Sequence, residues 1–375
     1  MPDDIVIGAG VYGMLVALEL ARLGRQVQVL EAGSVACGAS GGPGRRGVRA
    51  NGRDLRELPL MRQAYRQWPV LEEELGSQGF YQRTGHLLLL ERDDDLASAD
   101  ARVQMQRSQG IDCRLVAGAE LAEIQTGLSQ DIKAGIYCAQ DGVCDHGGFT
   151  RAVADRASNM GVVVQEDAEI SHFETHGDSV TAVITAKGES IAFSGNLFVL
   201  ANSGAHDLVK TAFNLQLPVW NACLQVMITE PFDRIHVDTL LGHAHRMVSI
   251  KAEEPDNRLM RSGGWHGAWD VTSQRGSVLP LAVEDNLAQA IAVFPELQGV
   301  EVARTDADHL EAMSVDDIPI IDRVPGIANG YVATGWSGHG WAIAPVVATL
   351  IVKWALSRER SELLAPFVLK RFGID

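Results

Sequence analysis

Cysteine is scarce and unpatterned. The five residues (Cys37, Cys113, Cys138, Cys144 and Cys223) are an odd number with no C-x-x-C pair in a chain of 375. That removes the basis for a disulfide framework or a cysteine-rich metal centre and points to reduced thiols. Positive charge is also short: 32 Lys and Arg stand against 48 Asp and Glu, a net charge of −16. A broad nucleic-acid or anionic-membrane surface is therefore excluded. Long hydrophobic runs are missing. The longest apolar stretch, Trp341 to Leu356, is broken by Pro345 and Lys353, and it falls short of the roughly 20 residues a spanning helix needs. The start, Met1-Pro2-Asp3-Asp4, has no basic region and no cleavage site, so no secretory signal is expected and the cytoplasm is the expected location.

What the chain has in excess is glycine, 38 of 375 residues, against about 7% in an average protein. The surplus implies backbone positions of unusual conformation or close approach to a ligand. Composition is otherwise globular, 46% hydrophobic and 21% charged, and the length suggests two or three domains at about 150 residues each. No internal repeat or low-complexity tract is present.

The first 31 residues carry the strongest pattern. Ile5-Val6-Ile7 is a short apolar run suited to a buried parallel strand. Gly8-Ala9-Gly10-Val11-Tyr12-Gly13, a G-x-G-x-x-G, follows, and a helical pattern with Val11, Leu15, Leu18 and Leu20 largely on one face ends at Gly24. Val27-Gln28-Val29-Leu30 predicts a second strand, with Glu31 at its end, 18 residues after Gly13. Strand, glycine turn, helix and acid at this spacing form a dinucleotide-binding fingerprint. Gly8 permits the tight turn, Gly10 lets backbone N–H groups reach a pyrophosphate, and Gly13 lets helix and strand pack closely. The helix N-terminus favours phosphate charge, and Glu31 accepts from both ribose hydroxyls while repelling a 2′-phosphate.

Further along, helices are expected over 55–75, 96–109, 117–125, 149–160 and 345–356, and a stretch from 272 that begins as loop becomes helical by 293. Strands are expected at 85–90, 134–138, 162–164, 179–186, 198–200, 219–230, 246–264 and 330–334. Met61, Tyr65 and Trp68 fall at helical spacing and are assigned to the core. The pattern predicts an α/β fold: a discontinuous Rossmann-like domain (1–84, 140–215 and 303–375) with an inserted antiparallel-sheet substrate domain (85–139 and 216–302).

Several segments extend the pattern. Cys37-Gly38-Ala39-Ser40-Gly41-Gly42 follows the acid, and Arg46-Gly47-Val48-Arg49 places two arginines three apart. Later come Asp316-Asp317-Ile318-Pro319-Ile320-Ile321-Asp322 and Tyr331-Val332-Ala333-Thr334-Gly335-Trp336-Ser337-Gly338-His339-Gly340. On these motifs the chain resembles FAD-dependent amine and amino-acid oxidoreductases of the D-amino-acid oxidase superfamily over nearly its whole length. Gln274-Arg275-Gly276-Ser277 and Ala365 to Phe372 look particularly like the catalytic β-type subunits of hetero-oligomeric sarcosine oxidase and of proline, opine and glycine dehydrogenases.

The resemblance implies non-covalent FAD held by Gly8, Gly10, Gly13, Glu31, Ala39, Ser40, Gly41, Arg46, Ile170, Gly204, Gly335, Ser337, Gly338, His339 and Gly340. It implies Arg49, His339, Trp341 and His266 as catalytic or substrate-contacting residues. The implied reaction is oxidation of an amino acid or secondary amine to an imine that water hydrolyses. A larger partner subunit with a flavin or iron–sulfur cluster is implied as well, and through it peripheral association with the inner membrane.

Two departures matter. Where sarcosine oxidases have S-G-H-G-F-K, with a lysine that binds the substrate carboxylate, this chain has Trp341-Ala342 after Gly340. Where monomeric oxidases carry a lysine that promotes reaction with oxygen, Ser262 stands, beside Arg261. The expectation is therefore a dehydrogenase, with an oxygen-using oxidase or a non-catalytic FAD-binding subunit as alternatives. The region 304–313, where several oxidases attach flavin to a cysteine, has none. His243 and His245 form an H-x-H with no third ligand evident, and no metal is expected.

Overall fold

A computed structural model describes residues 1–232, 236–253 and 258–374. Its first sheet has six strands in the order Ile320–Arg323, Gly330–Thr334, Leu197–Val199, Asp4–Ile7, Val27–Leu30 and Val163–Gln165. Four of its five pairings are parallel, and only Ile320–Arg323 runs antiparallel to its neighbour. The short apolar runs form these strands because both faces are covered. Val6, Val27 and Val29 join a core with the helices Val11–Arg22, His146–Asn159 and Ala344–Ser357. Ile5, Ile7 and Leu30 point the other way, into a core with the small sheet Ile170–His176, Ser179–Thr185 and Ser190–Ala192.

The helix Val11–Arg22 is buried on nearly every side rather than along one stripe, because the sheet and two other helices surround it. The stretch Gly340–Ser357 is long and apolar enough by composition to cross a bilayer, but two thirds of it is buried inside the fold. Its hydrophobicity serves the core.

The second large sheet has eight strands, in the order Val302–Asp306, Val226–Thr229, Arg258–Ser262, Ser249–Glu253, Leu240–His243, His86–Leu90, Ala134–Cys138 and Arg114–Ala117. All its pairs are antiparallel except Leu240–His243 with His86–Leu90. One face carries Leu87, Leu89, Leu241 and Ile250 and packs against the helix Pro280–Val293. The other carries Leu88, Leu90 and Ile136 and joins the main core beside Val48 and Ala50.

Three features differ from the sequence expectation. Residues 303–306, placed by sequence with the cofactor-binding segments, belong to Val302–Asp306, the edge strand of the eight-stranded sheet. The glycine-rich stretch after Glu31 contains a strand, Arg45–Val48, paired with Gly142–Asp145. Its two arginines and glycine hid it, since none favours a strand. The helix expected from 149 begins at His146, because the Asp145 carboxylate caps it by accepting from the Gly147 N–H at 3.1 Å.

Candidate active site

The turn after the first strand is fixed by contact. Gly8 has φ +102°, and a Cβ there would lie 2.8 Å from the Leu200 carbonyl oxygen. At Gly13 a Cβ would meet the Gly8 carbonyl oxygen at 1.8 Å, so only glycine lets the helix cross the strand this closely. Gly10 is different: a Cβ on it would project into open space. It opens the helix Val11–Arg22 with no side-chain cap, so the free N–H groups of the first turn and the helix dipole face outward. The Glu31 carboxylate secures the same turn, with one oxygen accepting from the Ala9 N–H at 2.6 Å and the other from the Gly33 N–H at 2.9 Å.

These groups border a cavity of about 690 Å3, within the range of ligand clefts. Gly8, Gly10, Glu31, Ala39, Ser40, Arg46, Ile170, Gly204, Gly338, Gly340 and Trp341 all line it. Gly13 does not; it lies beneath Gly8. Gly41 and Gly335 are also off the wall. The Gly41 Cα faces Val226, and the Gly335 Cα faces Ser314 and Val219.

Arg46 braces the loop that passes over the cavity. Its guanidinium donates to the main-chain carbonyls of Ser40 at 2.8 Å and Gly44 at 3.2 Å, and to that of Gly42. Burial pulls its pKa down to about 10 despite the opposing pull of Glu253, Glu311 and Asp306.

The second glycine loop follows the strand Gly330–Thr334, with Gly335, Ser337 and Gly338 at positive φ. Ser337 Oγ accepts from the Ser314 N–H at 3.1 Å, which ties the loop to the neighbouring strand rather than to the cavity. His339 also turns away from the wall, its Nδ1 3.1 Å from the Glu57 carboxylate.

Two wall residues were not read from the sequence. Glu311 accepts from the Gly338 N–H at 2.8 Å and from Asn202 Nδ2 at 3.2 Å. Tyr12 stacks on Trp336, ring centroids 3.7 Å apart, and donates to the Gly340 carbonyl, joining the two glycine loops. Tyr12 lay inside the first motif at one of its unspecified positions. Glu311 had no signal beyond a segment that departs from the family pattern.

Arg49 is not on the cavity wall; it and Arg53 lie within electrostatic reach of His86, and Arg49 of Lys251, and both partners are on the eight-stranded sheet. Arg49 donates to the Asn51 carbonyl at 2.5 Å and Arg53 to the Arg49 carbonyl at 3.4 Å. Burial lowers both, Arg53 to about 9 with Arg49 adding to the effect. Burial, with help from both arginines, drives the His86 pKa well down and keeps the ring neutral. Lys251 Nζ donates to Ser262 Oγ at 3.5 Å.

Arg261 does not share this space. Its register partners are Met227 and Ile250, which belong to the opposite face, and it lies buried there against Met227 Sδ at 3.9 Å. His266 stands in an isolated bridge with Leu224, and the Trp265 ring N–H donates to the Met247 carbonyl at 2.7 Å; neither lines the cavity.

The H-x-H pair does gain a third group. His243 Nε2 and His245 Nε2 lie 3.3 and 3.6 Å from one Glu91 oxygen. Arg246 clamps that carboxylate with two bonds of 2.6 Å. His243 Nδ1 accepts main-chain N–H groups from His245 and Arg246, and Nε2 has no hydrogen-bond partner among the described residues. The ligand atoms of the three lie within 4.8 Å of one another and could hold a cation, so the third ligand that the H-x-H spacing did not reveal is Glu91.

Comparison with known proteins agrees with this architecture. A family model described as FAD dependent oxidoreductase matches residues 3–354. A sarcosine oxidase subunit beta from Arthrobacter sp is 26% identical over 99% of this chain and 91% of its own length. A glycine oxidase from Geobacillus kaustophilus is 23% identical over 98% of this chain and 97% of its own. Among solved structures, an L-proline dehydrogenase from P. horikoshii superposes with a TM-score of 0.88 at 23% identity, covering 99% of this chain and 98% of that one.

Proposed function

Because the chain belongs to the FAD dependent oxidoreductase family, we propose that it oxidises the carbon–nitrogen bond of an amino acid or N-substituted amino acid. The observation that carries this reading is the half-buried arginine pair Arg49 and Arg53. Among the described residues their hydrogen bonds go to main-chain carbonyls, with the Asp141 and Glu57 carboxylates in electrostatic reach, and their remaining N–H groups suit a substrate carboxylate.

The residues fit FAD. The uncapped helix after Gly10 suits the pyrophosphate. Glu31 suits the ribose, and the wall from Ala168 to Ile170 suits the adenine. Arg46, Trp336, Gly338, Gly340 and Trp341 border the flavin end. Bound FAD supplies a two-electron acceptor that takes a hydride from the carbon next to nitrogen. The arginines fix that carbon by its carboxylate, and the sheet face excludes water. The amine proton leaves to solvent, the C–N bond becomes C=N, and water hydrolyses the imine to an oxo acid and an amine or ammonia. The cysteine along the cavity wall is Cys37, next to Glu31 at the ribose end, which favours non-covalent FAD.

Ser262 in place of a lysine favours a dehydrogenase that passes electrons to an acceptor other than oxygen. The name of the Arthrobacter relative, which matches this chain over 99% of its length, favours a role as one subunit of a complex. A second reading, an oxygen-using oxidase, is favoured by the Lys251 ammonium at 3.5 Å from Ser262 Oγ. An anaerobic titration separates these. Amino acids, N-methyl amino acids and proline are added singly while flavin absorbance is followed, and bleaching by one of them is the expected result. No bleaching by any, with dithionite still effective, overturns the catalytic reading. Rapid reoxidation on admitting air overturns the dehydrogenase.

A further inference from the structure

We propose that Glu91, His243 and His245 bind a divalent transition-metal ion, zinc above all, and that Asp95 and Arg246 hold these ligands in place. None of the five lines the FAD cavity. The ion sits at the ends of two neighbouring strands, and its role is to fasten them together rather than to react.

The sheet register brings the three ligands together. His243 ends the strand Leu240–His243 and pairs with Leu89 of the parallel strand His86–Leu90. Beyond that pair the Ala244 N–H still donates to the Leu89 carbonyl at 3.0 Å, so Glu91 and His245 leave the ladder side by side. Residues two apart on a strand share a face. Both histidines and the carboxylate therefore lie on the side of Leu89, which packs against the helix Pro280–Val293. Arg246 reaches that helix directly, donating to Gln289 Oε1 at 3.1 Å. Leu88 and Leu90 point the other way, into the main core.

The spacing fits an ion better than a hydrogen bond. His243 Nε2 and His245 Nε2 lie 3.3 and 3.6 Å from the same Glu91 oxygen, and the two rings stand at 84° to each other. Both nitrogens are buried, yet neither makes a hydrogen bond among the described residues, and the His243 side chain is wholly enclosed. A zinc ion with bonds of about 2.0–2.1 Å holds adjacent tetrahedral ligands roughly 3.3–3.4 Å apart. The observed separations lie at that value and just above it. Water can take the fourth position, because the His245 and Glu91 side chains remain 15% and 18% exposed.

The groups behind the ligands are arranged as a metal site requires. His245 Nδ1 faces Asp95 Oδ2 at 2.8 Å. Asp95 is itself held by the N–H groups of Arg92 at 3.0 Å and Glu91 at 3.3 Å, at the start of the helix Asp93–Ser108. A carboxylate on Nδ1 keeps the ring proton there and turns the Nε2 lone pair toward Glu91. Arg246 fixes the Glu91 carboxylate through both oxygens and still leaves a lone pair on the oxygen that faces the histidines. The cost of binding falls on His243. Its Nδ1 accepts the N–H groups of His245 and Arg246 at 3.4 and 3.3 Å, and ligation through Nε2 moves the ring proton to Nδ1 and gives up these long contacts. An ion that favours imidazole, such as zinc, offsets that loss; magnesium and calcium, which take oxygen ligands, do not.

The test uses the untagged, FAD-loaded protein, freed of metals by a chelator and desalted. Zinc is titrated in competition with a chromophoric chelator, and cobalt(II) is followed by its visible d–d absorption beyond the flavin band. The expected result is one zinc per chain, bound in the micromolar range or tighter, and a cobalt spectrum of nitrogen and oxygen ligands. Zinc at about a hundredfold its dissociation constant should raise the melting temperature by roughly 3 °C. His245→Gln should abolish both the binding and the shift. Asp95→Asn, which keeps an oxygen for the start of the helix, should weaken zinc about 10–100-fold while the metal-free melting temperature changes little. No saturable binding of zinc or cobalt by the native protein overturns the proposal even if neither variant folds. Binding that survives His245→Gln overturns it too, as does a thiolate charge-transfer band in the cobalt spectrum, which places the ion on a cysteine. Zinc affinity unchanged in Asp95→Asn overturns the role given to Asp95.

Discussion

A Cβ on Gly13 would stand 1.8 Å from the carbonyl oxygen of Gly8, whereas one on Gly10, three residues earlier, would touch nothing. The same motif thus holds one glycine for the fold and another for the ligand. Gly13→Ala should destabilise the protein by about 3 kcal/mol or more through backbone displacement and give little soluble product. Gly10→Ala should melt within a few degrees of the native apoprotein but lose most of its FAD. Thermal melts of the stripped proteins and the flavin-to-protein absorbance ratio separate the two effects.

Glu31 uses both carboxylate oxygens on main-chain N–H groups, those of Ala9 and Gly33. Glu31→Gln turns an NH2 toward one of them. FAD affinity should fall about tenfold or more, the value of a lost charge-assisted bond plus the donor clash, while the fold survives. Fluorescence of FAD released on dilution measures it. Retention of native affinity would place the ribose elsewhere.

His339 faces Glu57, which is 1% exposed. His339→Ala should therefore act on stability, by about 1–3 kcal/mol for an under-paired buried carboxylate. The rate of flavin reduction by a working amine should change less than about threefold, well under 1 kcal/mol. A large loss of rate with an unchanged melting temperature would return His339 to the reaction.

Burial first, and Arg46 and Arg49 with it, hold the Lys251 pKa at about 8, with Glu253 on its own strand acting the other way. His86, on the same sheet, stays neutral in this range. The folded pKa is depressed, so the unfolded chain holds the proton more tightly between pH 8 and 10. Without ligand, this group makes the protein more stable as pH rises through that window. Chemical denaturation of the stripped protein at pH 8 and 10 checks the sign.

The first motif was readable because its logic is local: strand, turn, helix and acid lie within 31 residues and need no other part of the chain to define them. The second glycine loop was readable for the same reason. What the sequence concealed is set by register. Lys251 meets Ser262 through hairpin pairing, and Glu91 meets His243 because residues 86–89 pair in parallel with 240–243. No short spacing encodes either encounter. His339 sits in a glycine-rich motif that pointed to the ligand, but its ring turns to an acid 282 residues away. Arg261 and Ser262 are neighbours in sequence and point to opposite faces, since side chains alternate along a strand. A cation next to the aligned position is therefore no substitute for one at it.

The strand Asp4–Ile7 lies in the middle of its sheet, flanked by Val27–Leu30 and Leu197–Val199, and the latter in turn awaits Gly330–Thr334. During synthesis one edge of the first strand must stay unpaired while about 190 more residues are made, roughly 10–40 s at ordinary elongation rates. The second strand then waits in its turn. The nucleotide-binding half therefore closes only when nearly all of the polypeptide has left the ribosome. The nascent chain meets chaperones with an open, apolar strand edge long before it can recognise its cofactor.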